Sequence, residues 1–299
     1  MKTKPYFSVI IPTHNSEGFI ERTLNSVLLQ DYSNYEVVVS DDGSNDRTVE
    51  IVKSIFSRRN SLNLIILTNE HHGPGAARNK GVLSARGEWI AFLDSDDVWH
   101  REKLSTVVRH ILNRPFVDLW CHSETVRLKN RMIALDYYRW FNSNIDPFIS
   151  LYVRNALSTS AVTVRTECLK RVGLFDESLL SAQDYDLWLR LSNGSRIDFI
   201  KQPLGEYFVR ENSISSDPLL RLTCLLTIGD KYFDILKQKT RFCSFYRLMF
   251  KSRAFLDAGN RSLKQGNYRD GIGYLAKGIF YLPLNVGRFA PIFESLNRH

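Results

Sequence analysis

A chain of 299 residues that is 43% hydrophobic and 12% aromatic has enough apolar mass for one large α/β domain and a smaller appendage, which excludes a disordered chain. The formal net charge of +8 is uneven: residues 219–299 hold 14 Lys and Arg against 5 Asp and Glu, and the first 218 residues hold 26 against 27. Four scattered cysteines, Cys121, Cys168, Cys224 and Cys243, include no CxxC pair, so they exclude a disulfide scaffold and read as reduced thiols. No apolar run approaches the roughly 18–20 residues that span a bilayer. The short apolar run near the N-terminus also falls short of a signal peptide's core. The expectation is a cytoplasmic protein, peripheral at most at the inner face of the membrane.

In chain order, "YFSVIIPTHN" predicts a strand ended by Pro12, and "SEGFIERTLNSVLLQ" a helix with Phe19, Ile20, Leu24, Val27 and Leu28 on one face behind a Ser16 cap. "YEVVVSDDGS" reads as a second buried strand running into Asp41, Asp42 and a glycine turn. A helix ("DRTVEIVKSIF"), a strand ("LNLIILTN"), a helix ("GAARNKGVLSA") and a strand ("GEWIAFLDSDD") follow. Strands separated by helices call for right-handed crossovers and a mainly parallel sheet covered on both faces. "REKLSTVVRHILN" then reads as a helix and "VDLWCHSETVRL" as a strand, and the aromatic residues 128–158 as an irregular loop or lid. "STSAVTVRTECLKRVG" is a strand and short helix, "AQDYDLWLRLS" a helix, and "RIDFI" and "GEYFVR" two late strands. Beyond Asp217 the chain is helical and basic, and residues 254–283 are similar to a single helix-turn-helix of tetratricopeptide type.

In an open parallel sheet, ligands bind beyond the carboxyl ends of the strands. Pro12, Thr13, His14 and Asn15 follow the first strand, Asp41 and Asp42 the second, and Asp94, Ser95, Asp96 and Asp97 the fourth. A lone acidic pair there is commonly a helix cap. Acidic groups after two strands, one of them a trio, favour a ligand instead. Close carboxylates repel unless a cation or a proton intervenes, and oxygen-only donors suit Mg²⁺ or Mn²⁺ completed by substrate phosphates. "GPGAARNKG" opens a helix at Gly73, Pro74 and Gly75 and carries Arg78 and Lys80, which fits an anion site of backbone amides and a guanidinium. His71 and His72 are placed to touch a ligand, but they lack a metal-spacing partner, and the ordinary reading is that of loop residues. Asp184 starts a predicted helix, where a cap and a catalytic carboxylate are both open.

"VIIPTHN", "VVVSDDGSNDRT", "GPGAARNKG", "AFLDSDD" and "QDYDLWLR", in this order, closely resemble the motifs of the family 2 glycosyltransferases with the GT-A fold, over roughly residues 7–210. The resemblance implies a GT-A nucleotide-diphospho-sugar transferase fold: a Rossmann-like, mainly parallel sheet flanked by helices. The expected division is a catalytic domain over residues 1–218 and a basic helical extension over 219–299. The implied activity is inverting transfer of a sugar from a nucleotide diphosphate donor, usually a UDP-sugar, to a hydroxyl of a saccharide or lipid-linked acceptor. The setting it implies is assembly of a surface polysaccharide or a lipid-linked saccharide.

Carried over by position, Pro12, Thr13 and Asn15 line the nucleoside pocket and Asp42 meets the uracil ring. Gly75 and Arg78 sit where the family's loop approaches the nucleotide. Asp94, Ser95 and Asp96 match its DxD motif, Asp96 and Asp97 lie nearest the ribose and a Mn²⁺ or Mg²⁺ ion, and Asp184 matches the general base of its "ED" motif. Gln183 stands where that motif has Glu, and His14 where Tyr is common.

The excess positive charge of the tail suggests an anionic membrane surface, with a solvated helical face as the plain alternative. A homo-oligomer is compatible with the sequence. Nucleic acid is not an expected partner, because no nucleic-acid fold is recognisable. "GIGYLA", residues 271–276, fits GxGxxA but follows a helix, not a strand. Two rival functions are a metal-dependent nucleotidyltransferase, whose glycine loop belongs after the first strand, and a catalytically silent sugar-nucleotide-binding protein. The intact carboxylates disfavour the second.

Overall fold

The computed structural model describes residues 6–57, 63–128, 131–209 and 217–282. Nine strands form one sheet: β1 (Phe7–Thr13), β2 (Tyr35–Asp41), β3 (Leu64–Thr68), β4 (Trp89–Phe92), β5 (Val98–Trp99), β6 (Leu119–Leu128), β7 (Arg131–Leu135), β8 (Val162–Arg165) and β9 (Ile197–Tyr207). The helices are α1 (Ile20–Leu28), α2 (Thr48–Ser57), α3 (Pro74–Ser84), α4 (Lys103–Asn113), α5 (Pro147–Val153), α6 (Thr166–Val172), α7 (Gln183–Ser192), α8 (Pro218–Lys231), α9 (Phe233–Lys239), α10 (Cys243–Lys264) and α11 (Tyr268–Phe280).

The sheet runs β3-β2-β1-β4-β8-β6-β9-β5, with β7 paired to β6. The β3-β2-β1-β4 half is parallel, with Thr13 opposite Asp41 and Ile10 opposite Phe92. Beyond β4 the sheet is mixed, since β8 pairs antiparallel with both β4 and β6, while β6 and β9 run parallel. All seven residues of β1 and of β2 are buried, as expected of strands covered on both faces. Phe7, Val9 and Ile11 alternate onto one face and pack in a core with Ile20, Leu24 and Val27 of α1, Val52 of α2 and Leu104 of α4. Each such side chain contributes about 2 kcal/mol by leaving water. Helix α3 covers the other face closely: a Cβ on Gly81 would lie 2.6 Å from the Ile10 side chain.

Several sequence expectations change. Strand β1 continues through Pro12 to Thr13. Ser16 starts α1 through its carbonyl, which accepts the amides of Phe19 and Ile20, and not through its side chain. Strand β4 stops at Phe92, so the acidic residues form a loop instead of a strand end. Residues 128–158 are not one irregular stretch, because β7 forms a hairpin with β6 and Asp146 caps α5. The two late strands are one strand, β9, whose pairing with β6 shifts register beyond His122. Arg210 of "GEYFVR" and residues 283–299 of the basic extension lie outside the described residues.

The chain divides into two compact units, and the division differs from a single cut at 218/219. The sheet unit holds residues 1–138, 157–177 and 194–209; the helical unit holds 139–156, 178–193 and 210–299. In the helical unit, Tyr152 donates to the Gly229 carbonyl at 2.8 Å, and Tyr185 donates to the Leu151 and Tyr152 carbonyls at 2.8 Å. Helices α10 and α11 form the expected hairpin. "GIGYLA" lies inside α11 and not in a loop between a strand and a helix. All four cysteines are unpaired. No helix among the described residues is long and apolar enough to cross a membrane.

Candidate active site

The acidic loop leaves β4 while still bound to the sheet, with the Leu93 amide donating to Ile10 O at 3.0 Å. The Asp97 amide donates to Asp94 O at 3.1 Å, closing a turn that gathers the carboxylates. Helix α1 braces the loop's backbone. Thr23 Oγ1 lies 2.8 Å from the carbonyls of Ser95 and Asp97, and Arg22 Nη2 donates to Asp96 O at 2.8 Å. Ser95 and Ser16 share a hydroxyl contact of 2.8 Å. Neither Ser95 nor Asp96 caps α4, whose N-cap position is Glu102.

The carboxylates differ in environment. Asp94 and Asp96 are partly exposed, whereas Asp97 is 2% exposed and turned inward. Its Oδ2 accepts from Ser160 Oγ at 2.6 Å and its Oδ1 from the Phe208 amide at 3.0 Å. Burial pushes its pKa well above the usual carboxylate range, and the charges of Glu124, Asp96 and Asp94 push it further. The expected metal pair Asp96 and Asp97 is therefore unequal: Asp97 is spent inside the fold, and the outward carboxylates are Asp94 and Asp96. An all-oxygen pair with crowded negative charge fits a hard divalent cation.

Arg78 lies in α3 and is 7% exposed. Its Nη2 donates to Asp94 Oδ1 at 2.6 Å, and its buried Nε has no hydrogen-bond partner among the described residues. Gly73, at φ 92°, precedes Pro74 at the first position of α3, and Gly75 is buried in the first turn. Asn79 holds this helix to the 175–177 segment, receiving the Phe175 amide at 2.8 Å and donating to Glu177 Oε1 at 2.7 Å.

At the same carboxyl edge, Pro12 and Thr13 are internal, and the Thr13 hydroxyl donates to Asp41 Oδ1 at 2.8 Å. Asp41 also accepts the amide and hydroxyl of Ser44 and so shapes the "DDGS" turn. Asp42, 2% exposed, accepts the amides of His72 at 2.9 Å and Gly73 at 2.8 Å and pairs with His71 Nδ1 at 2.8 Å. It thereby fastens β2 to the entrance of α3. Asn15, at φ 46°, accepts the Asn45 amide through Oδ1 at 2.9 Å.

Two features here escaped sequence reasoning. The exposed rings of His14 and His71 stack at 4.2 Å. With Asp42 they bring three ligand-type atoms within 4.8 Å of one another, although no sequence spacing links them. Behind the acidic loop lies a buried layer on β6 and α4. Glu124 accepts from Tyr137 OH at 2.6 Å, and burial raises its pKa to about 7. Lys103 donates to Thr163 Oγ1 at 3.1 Å with its ammonium 3.6 Å from the Trp99 ring centroid, and burial holds its pKa well below the usual lysine range. Burial likewise lowers His122 to about 3.

In the helical unit, α7 begins after Ala182 at φ 59°, and no side chain caps it. Asp184 lies in its first turn, where a carboxylate meets the positive end of the helix, and is partly exposed. Asp186 is fully buried and structural: it accepts from Arg190 Nε at 2.9 Å, Lys231 Nζ at 2.8 Å and Tyr232 OH at 2.7 Å.

Residues 8–162 match the model of Glycosyl transferase family 2, and residues 89–277 that of Glycosyl transferase family group 2. An uncharacterized glycosyltransferase of Rickettsia felis is 31% identical over 67% of this chain, which spans about a third of that relative's length (32%). TuaG of Bacillus subtilis, a glycosyltransferase named for teichuronic acid biosynthesis, is 31% identical over 72% of this chain and 83% of its own. Among solved structures, S. aureus TarS 1-349 is 24% identical with a TM-score of 0.67, over 91% of this chain and 80% of its own. The same TarS segment is also solved in complex with UDP-GlcNAc. The mannosyltransferase PcManGT of Pyrobaculum calidifontis, in complex with GDP-Man and Mn2+, is 20% identical with a TM-score of 0.66, over all of this chain and 82% of its own. The mixed sheet with its flanking helices is the GT-A fold of these transferases.

Proposed function

The chain belongs to Glycosyl transferase family 2, and on that premise we propose that it is an inverting transferase moving a hexosyl or N-acetylhexosaminyl group from a UDP-sugar to an acceptor hydroxyl. The observation that carries this reading is Arg78, a nearly buried guanidinium that grips Asp94 and keeps one donor without a partner among the described residues beside the acidic loop. A diphosphate oxygen supplies the missing acceptor. Asp42 and Asn15 border the base and Asp94 the ribose. Asp94 and Asp96 hold a divalent cation, Mn²⁺ or Mg²⁺, which when bound neutralises charge on the departing diphosphate. The first-turn amides of α3 stabilise the same charge. Asp184 takes the proton of the acceptor hydroxyl as that oxygen attacks the anomeric carbon. Its partial exposure and the absence of a side-chain cap at α7 support this role.

The nucleotidyltransferase alternative is disfavoured, because the glycine entrance to α3 follows β3 and not β1. A role in cell-surface polysaccharide or lipid-linked saccharide assembly is supported by the likeness to TuaG. The 14 basic against 5 acidic residues of 219–299 support a peripheral place on the cytoplasmic face of the membrane. The test is a donor screen that measures released nucleoside diphosphate with several nucleotide sugars and each metal. Release from a UDP-sugar in the presence of acceptor is expected, and release from none of them refutes the reading.

A further inference from the structure

The helical unit contains a cavity of about 540 Å³ whose lining includes none of the residues assigned to the transfer above. Arg154, Arg221 and Arg253 line it, with Leu225, Met249 and Phe250 forming an apolar wall. Among the described residues, Asp257 neutralises Arg221 at 3.1 Å and also receives Arg261 at 2.9 Å. Arg154 lies with its guanidinium carbon 4.2 Å from the Trp140 ring centroid. No carboxylate among the described residues forms an ion pair with Arg154 or Arg253. Burial lowers the pKa of both guanidinium groups, and the charge of Arg253 lowers that of Arg154 further, to about 10. Two like charges partly withdrawn from water, with no counter-charge among the described residues, raise the free energy of the fold. An anion held between them repays that cost, and guanidinium forks favour phosphate.

We propose that this cavity binds the phosphate group of a phosphate ester, with Arg154 and Arg253 as its ligands and the apolar wall facing the ester's substituent. Neither arginine belongs to the transfer machinery assigned above. A volume of about 540 Å³ exceeds what phosphate alone fills and falls in the range of small-molecule sites.

Calorimetry on the full chain with inorganic phosphate and with dioctanoyl phosphatidic acid tests the proposal, with dioctanoylglycerol as the phosphate-free control. Arg154→Gln and Arg253→Gln are each expected to weaken binding at least tenfold, Arg253→Lys is expected to weaken it less, and dioctanoylglycerol is not expected to bind. Tenfold tighter binding of phosphatidic acid than of phosphate identifies a lipid as the source, and equal binding identifies a soluble phosphate ester. The unliganded Arg253→Gln variant is expected to melt at or above the wild-type temperature, because an uncompensated charge is gone. Unchanged affinity in both glutamine variants, no binding of either phosphate probe, or a clear fall in the melting temperature of Arg253→Gln overturns the proposal. Because binding is read without sugar transfer, its failure leaves the transferase reading intact.

Discussion

Replacing Glu124 by Gln should remove a pH dependence built into the fold. Glu124 is fully buried behind the acidic loop, and burial raises its pKa from 4.5 to about 7. A carboxyl with a raised folded pKa favours the native state while protonated. Its contribution is complete below the unfolded pKa of 4.5 and is lost as the pH climbs through about 7. At 1.36 kcal/mol per pH unit, that interval corresponds to about 3 kcal/mol at most. Gln keeps an oxygen for the Tyr137 hydroxyl and never ionises. Urea unfolding of both proteins at pH 5 and pH 8 is the assay. We expect the variant to match the wild type within about 1 kcal/mol at pH 5 and to exceed it by up to about 3 kcal/mol at pH 8. The charge of Glu124 also raises the pKa of Asp97, so the difference between the two proteins reports Glu124 together with its coupling to that carboxyl. An equal loss of stability at both pH values would show that Glu124 is ionised and paired in the native state, and the reasoning would fail.

Asp184→Asn should lower turnover by at least about 10² while leaving UDP affinity unchanged by calorimetry, as loss of a general base requires; normal turnover would remove Asp184 from that role. Asp96→Ala should weaken UDP binding in the presence of Mn²⁺ but not in its absence, and equal titrations under both conditions would contradict a metal at this loop. Asp186→Ala should cost about 3 kcal/mol in thermal or urea unfolding, near the low end for breaking a buried ion network because Lys231 is 40% exposed. The full chain should float with anionic vesicles at low salt and be released by added salt. Failure to float at low salt would leave the basic tail as a solvated surface.

The two outward carboxylates show where the sequence stops being informative. That Asp94, Asp96 and Asp97 would meet Thr13 and Asp42 at one edge was legible, because strand periodicity and crossover handedness fix which end of a parallel sheet the loops share. Which carboxylate faces solvent was not. Asp97 turns inward because Ser160 and the Phe208 amide, 63 and 111 residues away, supply its donors. The Arg78–Asp94 pair and the His14–His71 stack likewise join segments that no local pattern relates. The aromatic residues 128–158 look irregular in sequence because a short hairpin strand and a seven-residue helix carry too few periods to stand out. Asp184 and Asp186 occupy one helical turn with the same chemistry, yet Asp186 is buried against Lys231 and Tyr232 while Asp184 remains partly exposed. The sequence by itself determined the elements, their order and the kinds of atoms gathered at the sheet's edge, since these depend on period, chirality and residue type. Only the tertiary structure decided which of those atoms remain available to a ligand, because burial and hydrogen bonding are set by partners distant in the chain.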